Sequence, residues 1–470
     1  MDTQAFCDMN CNTFKDLAKA ANLSHDHFIR TTDTAHKDAV RYFWEMLQHR
    51  GYIYTKKHEG WYSVSDEAFY PKSQVQPSLD PATGRKLMVS VETGKEVEWS
   101  SETNYHFRLS AFKDRLLQFY EKNPNFVRPK HHMDALVKSV REGLQDLSIS
   151  RPAERLTWGV RVPGDESQTI YVWLDALVNY LTKAGYPFTP GKESEMGWPA
   201  DIHVVGKDIV RHTQSHSFHC VYWPAFLMAL DLPLPRTVLV HGHWTMNQAK
   251  MSKSTGNVVN PFFAIDRFGL DSMRFFLMLQ GPQDNDSDYD NSYVVRDYRT
   301  HLQRGLGNLT SRTLGVAKLQ LRPCIEAAAN GTLVKPQPSD LEIEACLRSR
   351  PKSVRKSMDA NLDPKRALEK IAKLVQLVQY YFHISAPWDH DTTGDPSQGY
   401  RCIYNACEGL RIAGILLQPF MPQKSTELLD LLGVGASARG FSSASYGADF
   451  DYGHDVKRNK HLFRQLLMEK

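Results

Sequence analysis

Lys250-Met251-Ser252-Lys253-Ser254-Thr255-Gly256-Asn257 follows the apolar run Val238 to Val240 and precedes Pro261. Two lysines three apart on a Ser- and Gly-rich loop suit an extended anion, because each ammonium is a mobile point charge with three donors. Such a loop can close over a triphosphate and stabilise charge that builds during transfer at phosphorus. The chemistry written here is a nucleotide-phosphate clamp made by Lys250 and Lys253. By composition alone a surface loop with two lysines is commonplace, so the order of residues and the surrounding chain decide.

A length of 470 residues predicts about three domains. The 57 Lys+Arg and 53 Asp+Glu leave a net charge of +4, and 41% apolar residues with 11% aromatics supply packed cores rather than disorder. The longest apolar stretch, Val221 to Leu230, falls short of the roughly 18 residues of a membrane span, so no membrane crossing is expected. Seven cysteines without a CxxC pair argue against a disulfide framework and fit a reducing compartment. Residues 1 to 20 lack the pattern of a secretory signal, and Asp2, Asp8 and Asp16 sit poorly with an acid-poor transit peptide.

Periodicity divides the chain by texture. Val40, Phe43, Trp44 and Leu47 recur at three and four, predicting a helix over Asp38 to Arg50. From Gly60 to Leu109 Tyr, Val and Ser alternate between Pro81, Gly84 and Gly94, which reads as a small, mostly β insert. Leu116 to Gln145 returns to helical spacing. Leu156 to Val162, Thr169 to Trp173, His203 to Val205 and Thr237 to Val240 read as short buried strands of a parallel sheet. Asp297 to Val316, Ser339 to Ala360, Pro364 to His383, Tyr400 to Leu417 and Lys424 to Leu432 predict an all-helical C-terminal third, with Ser442 to Tyr452 a loose segment. Residues 301 to 380 hold 14 Lys+Arg and 7 Asp+Glu, an excess that suits a polyanion such as RNA, with a solvated helical face as the lesser alternative.

Lys-Met-Ser-Lys-Ser is the signature loop of class I aminoacyl-tRNA synthetases, and the chain resembles the methionyl-tRNA synthetase family along almost its whole length. The resemblance is carried by Phe28-Ile29-Arg30-Thr31-Thr32, Gly60-Trp61-Tyr62, Asn104 to Leu109, Asp146 to Arg151, Tyr171-Val172-Trp173-Leu174-Asp175-Ala176-Leu177, Gly206-Lys207-Asp208-Ile209 and Tyr222-Trp223-Pro224-Ala225. It implies an α/β fold: a Rossmann-like parallel sheet with a small β-rich insert and an all-α anticodon-binding domain. The expected division is 1–58, a remnant of the first half of the catalytic domain; 59–148, the connective insert; 149–247, the second catalytic half; 248–298, the lysine loop and linker; and 299–470, the helical domain. The activity implied is methionine–tRNA ligase, with ATP and Mg2+, methionine and tRNA(Met) as partners, acting as a monomer. The mitochondrial matrix is the compartment implied.

The residues agree with a methionine site. If a helix opens near Trp173, then Trp173, Ala176 and Tyr180 share one face, an aromatic wall around a small residue that suits a thioether. Unaided, that stripe reads as plain core. The family implies Val172, Trp173, Ala176, Tyr180, Ile209 and His219 around methionine, with Gly206 and Asp208, beside Lys253, on the ATP. It also implies Asn308, Arg312 and Trp388 on the anticodon bases; Asn308 and Arg312 are i and i+4 and point the same way.

The chain departs from the family in three places. Residues 212–217 stand as an insert between Arg211 and Phe218, leaving Ile209 and His219 ten apart, about 280° round a helix instead of about 40°. Either the insert loops out or the pocket is broken; a zinc site of His212, His216, His219 and Cys220 is the less simple reading. The family's His-x-Gly-His motif is not found in residues 1 to 60, and His241-Gly242-His243 directly before the lysine loop is no substitute. The chain thus reads as starting after that motif, which leaves a catalytically impaired form acting only as a tRNA-binding protein as the alternative. The positions of the family's zinc knuckle read Ser63, Asp66, Ser90 and Thr93, a poor zinc set, so no structural metal is expected.

Overall fold

The computed structural model describes the chain except for residues 67, 81–82, 190, 196, 208–217, 252–255, 282, 284, 316–319, 389–396, 455, 457–460 and 466–470, and the side chains at 58, 68, 69 and 398. Two compact units emerge, His25–His241 and Met1–Ser24 with Gly242–Lys470. Helix α1 (Thr3–Ala20), capped by the Asp2 carboxylate, belongs to the latter.

In the unit His25–His241, helix α2 (Thr34–His49) buries His36, Ala39, Val40, Phe43, Trp44 and Leu47, the stripe that its spacing predicts. Strands β1 (Ile53–Ser63), β2 (Ala68–Tyr70), β3 (Val75–Leu79), β4 (Lys86–Ser90) and β5 (Glu96–Phe107) form an antiparallel sheet in the order β2-β1-β5-β4-β3. The long β1–β5 ladder runs from Ile53 opposite Phe107 to Tyr62 opposite Glu98. Helices α3 (Lys113–Lys122) and α4 (Lys130–Glu142) flank the two-residue strand β6 (Val127–Arg128), because Pro124 and Pro129 interrupt what periodicity alone reads as one helical stretch.

A second correction concerns the sheets. Strand β7 (Leu147–Ser148) pairs with β5, while β8 (Ser150–Pro152), β9 (Arg161–Val162) and β10 (Asp165–Ile170) form a separate antiparallel sheet. The polar run Asp165-Glu166-Ser167-Gln168 after a turn at Gly164 (φ 77°) makes a hairpin, not a doubly covered parallel strand. Trp173 lies beyond it, in helix α5 (Val172–Lys183). The parallel sheet consists of β11 (Ile202–Gly206), helix α6 (Trp223–Ala229) crossing to β12 (Thr237–His241), and β6, in the order β11-β12-β6. One core, including Trp44, Phe107, Leu177, Val205, Trp223 and Val240, serves this unit.

In the other unit β13 (Trp244–Met246) and β14 (Ala249–Lys250) form a hairpin, followed by α7 (Pro261–Phe268), α8 (Leu270–Leu279), β15 (Ser287–Asp288) and α9 (Asn291–Asp297). A helical bundle follows: a π-turn over Tyr298–Gly307 running into α10 (Asn308–Leu314), then α11 (Leu321–Ala329), α12 (Pro338–Arg355), α13 (Pro364–Ser385), α14 (Ser397–Leu417) and α15 (Pro422–Leu431). Helix α11, like α7 and α8 before the bundle, falls outside the stretches whose spacing predicts helix. Arg274 of α8 ties α1 to the bundle, donating to the carbonyls of Ala21 (2.7 Å), Phe420 (3.1 Å) and Pro419 (2.8 Å).

Ser442 to Tyr452 is not loose. Glu408 and Arg411 on α14 are fully buried and paired at 2.6 Å, and Arg411 donates to the carbonyls of Ser443 and Ser445. Glu408 accepts from the Gly447 N–H at 2.7 Å and the Tyr452 hydroxyl at 2.9 Å. A small-residue segment is held by an ion pair that hydropathy does not reveal. Removing one member of a buried pair strands the other, at a cost of about 3–5 kcal/mol. Arg411→Met should therefore lower the unfolding free energy of the helical bundle by that amount, read from urea unfolding followed by far-UV circular dichroism.

Candidate functional site

Helix α5 turns one face to the core through Leu174, Leu177, Val178 and Leu181 and leaves Trp173, Ala176 and Tyr180 half-buried along an adjoining face. Its rotation is fixed from below. His36, fully buried on α2, hydrogen-bonds Asp175 Oδ1 through Nε2 at 2.6 Å and Thr182 Oγ1 through Nδ1 at 3.1 Å, spanning two turns of α5. A π-turn over Phe218–Tyr222 then delivers His219, whose Nε2 meets the Tyr180 hydroxyl at 2.8 Å. The Tyr120 hydroxyl holds this turn by donating to the Cys220 carbonyl at 2.6 Å.

The result is an aromatic chamber. Phe218 stacks on Trp173 with centroids 3.5 Å apart, His203 lies 4.2 Å from the Tyr180 ring, and Trp223 lies 6.2 Å from it. Among the described residues His203 Nε2, His219 Nδ1 and Trp223 Nε1 are buried without a partner. Unmet polar atoms beside aromatic faces are what a site keeps for a ligand with one polarisable group in an apolar chain. Gly206, at the carboxyl end of β11 and in register with His241, stands where open parallel sheets bind ligands.

The expected site residues are placed unevenly. Trp173, Ala176, Tyr180 and His219 come together; Val172 begins α5 and is 48% exposed. Asp208, Ile209 and the insert 212–217 lie outside the described residues, with His212 and His216 of the zinc reading. His219 is presented by the π-turn Phe218–Tyr222. Phe218, His203 and Trp223 were not singled out as site residues. A histidine at an inward position of a buried strand was the signal for His203.

Lys250 is exposed at the end of β14, and Lys253 lies outside the described residues. The hairpin before the loop turns through Asn247 and Gln248, both at positive φ, and Asp288 Oδ1 secures it by accepting from Thr245 Oγ1 (2.8 Å) and the Gln248 N–H (2.9 Å). Asn257 closes the loop base by donating to the Lys250 carbonyl at 3.2 Å, while Met251 packs on the small core of Ala264, Phe268, Met273 and Phe276. His241 and Gly242 end a strand and leave it; a side chain at Gly242 would strike the Asn285 carbonyl at 2.6 Å.

In the bundle Asn308 is exposed, and the Arg312 guanidinium lies 5.4 Å from the Phe382 ring and 5.3 Å from that of Trp388, itself 40% exposed. In the β insert the four knuckle positions bond one another. Asp66 Oδ2 accepts from Thr93 Oγ1 at 2.6 Å and the Tyr70 hydroxyl at 3.0 Å, and Lys95 meets Oδ1 at 2.7 Å. Ser63 and Ser90 Oγ accept backbone N–H groups of their turns, Asp66 and Thr93 respectively. Burial favours the protonated Asp66 acid, but its hydrogen bonds to Lys95, Thr93 and Tyr70 outweigh it and lower the pKa. A carboxylate so occupied, with neutral hydroxyls, does not fit Zn2+. Among the described residues no cluster of three His, Cys, Asp or Glu could hold a metal, and no helix is long and apolar enough to cross a membrane.

The parallel sheet, lysine loop and helical bundle define a class I synthetase, and a sequence model described as tRNA synthetases class I (M) matches residues 1–314. A probable mitochondrial methionine–tRNA ligase of Neurospora crassa is 48% identical over 465 residues, spanning 96% of this chain and 73% of that one. The corresponding Schizosaccharomyces pombe protein is 45% identical, covering 97% and 83%, and the methionine–tRNA ligase of Rickettsia felis 39%, covering 94% and 82%. Mycobacterium tuberculosis methionyl-tRNA synthetase in complex with methionyl-adenylate superposes with a TM-score of 0.86 at 36% identity, over 99% of this chain and 88% of that one. The chain belongs to the methionyl-tRNA synthetase family.

Burial pushes the His203 and His219 imidazoles down from 6.5 to about 4, the neighbouring His219 adding to the shift at His203. Both stay neutral in the folded unit, whereas the unfolded chain takes up protons near 6.5. The stability of the unit His25–His241 should therefore fall as pH drops from 6.5 towards 4. Urea unfolding across that range measures the slope, and His203→Gln should remove about half of it, one of the two titrating rings being gone.

Proposed function

We propose that the chain activates methionine with ATP and passes the methionyl group to tRNA(Met). The methionine carboxylate attacks the α-phosphorus of ATP and pyrophosphate leaves; the terminal ribose hydroxyl of the tRNA then attacks the adenylate carbonyl and AMP leaves. The observation that carries this reading is the Tyr180–His219 hydrogen bond beside the Trp173–Phe218 stack, a polar pair set in an aromatic chamber. An unbranched thioether packs on such rings and can take the phenol or imidazole proton as a weak acceptor, which an alkyl chain cannot.

Residue roles follow from this reading. Val172, Trp173, Ala176, Tyr180, Ile209 and His219 line the methionine side, and Gly206 gives close backbone approach where Asp208 takes the ribose hydroxyls. Lys250 and Lys253 hold the triphosphate, so rate comes from positioning and charge stabilisation without a protein nucleophile. Mg2+ enters on the phosphates of ATP, as suits a hard cation that keeps few protein ligands. Asn308, Arg312 and Trp388 read the anticodon, Trp388 giving an unstacked base a ring and Arg312 a second plane. We infer the five-part division at residues 58, 148, 247 and 298, action as a monomer, and the mitochondrial matrix as the compartment; the names of the two fungal relatives support the last.

Methionine-dependent pyrophosphate exchange tests the reading. Tyr180→Phe should raise the KM for methionine about tenfold with the KM for ATP unchanged, the weight of one buried hydrogen bond. Lys253→Ala should lower kcat by about 10²-fold or more. Full exchange by Lys253→Ala would overturn the assignment, and tRNA binding by a chain with no exchange at all would leave the tRNA-binding form in its place.

A further inference from the structure

The positive charge of the bundle is concentrated. Of the 14 Lys+Arg between residues 301 and 380, 9 lie between 348 and 373, against 3 Asp+Glu. They gather where α12 ends, a π-turn covers Lys356–Ala360, and α13 begins. Lys370 of α13 reaches back to this turn, donating to the Ser353 carbonyl and Ser357 Oγ, each at 2.9 Å. Burial, then Arg366, Arg350 and Lys356, lower the pKa of its ammonium, so these cations face one another across the helix junction.

Nearby acids do little to offset them. Asp363 caps α13 by accepting the Arg366 N–H at 2.7 Å, and Asp359 is paired with Arg355 at 2.9 Å; Glu369, the third, is exposed. Lys356, Arg366 and Lys373 are exposed and form no ion pair among the described residues. Arg350 Nε is buried with no partner. Like charges crowded without counter-charge store repulsion that a polyanion relieves.

The cluster continues along one helix face. Arg366, Lys370, Lys373, Tyr380 and Ile384 recur at three and four on α13, with Tyr380 64% and Ile384 50% exposed, and the chain beyond the helix end carries Trp388 beside Arg312. From Lys370 to the end of α13 is about 22 Å at 1.5 Å per residue. At roughly 3.4 Å of helical nucleic acid per phosphate on each strand, that spans about six nucleotides, the step from an unpaired loop into its stem.

We propose that Lys356, Arg366, Lys370 and Lys373 form a second RNA-contact surface, which takes the phosphate backbone of the stem whose loop is read at Asn308, Arg312 and Trp388. This rests on the reading of the bundle as a tRNA binder. Tyr380 lies between the two contacts, an exposed ring where the backbone passes.

The test combines Lys356→Gln, Arg366→Gln and Lys373→Gln, all exposed positions that spare the Lys370 hydrogen bonds, with circular dichroism melting as a fold control. Two probes are titrated by fluorescence anisotropy at several salt concentrations: a methionine tRNA transcript and a single-stranded oligonucleotide of its anticodon loop. The triple variant should bind the transcript on the order of tenfold more weakly, with a log–log salt slope smaller by about two, and bind the oligonucleotide unchanged. Trp388→Ala should weaken both probes. An unchanged transcript affinity and slope in the triple variant, while Trp388→Ala weakens both, would overturn the second surface alone. Equal loss on both probes in the triple variant would also overturn it, merging the cations with the loop site. If Trp388→Ala changes neither probe, the anticodon reading itself fails.

Discussion

The buried hydrogen bonds of His36 set the geometry on which the aromatic chamber depends. An α-helix packed by apolar contacts alone can rotate or slide by fractions of a turn at modest cost, because dispersion and burial are not directional. Nε2 on Asp175 and Nδ1 on Thr182 remove that freedom, since two directional bonds seven residues apart admit one rotation and one height. Trp173, Ala176 and Tyr180 are then presented together, and the π-turn needs only to bring Phe218 and His219 to meet them. A polar pair at the centre of a core thus orders the aromatic residues around it.

The sequence carried the repeated patterns and missed the single contacts. Helices α2, α12 and α13 were legible because their apolar residues recur at helical spacing, and the β insert because its alternation and turns are local. Strands β9 and β10 were misassigned to the parallel sheet, since a short apolar run does not say which neighbour it will pair with. Pro124 and Pro129 were present to be read and mark the break between α3 and α4. The pinning of Ser442 to Tyr452 could not be read at all: it depends on Glu408 and Arg411, more than 30 residues away, losing water together.

The site shows the same division. The aromatic face of α5 and the i, i+4 pair Asn308 and Arg312 follow from helix geometry, whereas their meaning came from residue order resembling a family. Phe218 completes the chamber by stacking on Trp173, a contact between the π-turn and α5 that no local pattern encodes, whereas His203 is legible from its inward place on β11.

The knuckle of the β insert leads in another direction. Where thiolates gripping a metal would make a compact clasp, Asp66, Thr93, Tyr70 and Lys95 make one from oxygen and nitrogen. Such a clasp is complete as soon as the chain folds: it waits for no ion delivery, loses nothing to a chelator, and offers peroxide no sulfur. Its vulnerability lies in acid instead, where a neutralised carboxyl at position 66 would release the lysine and open the two loops.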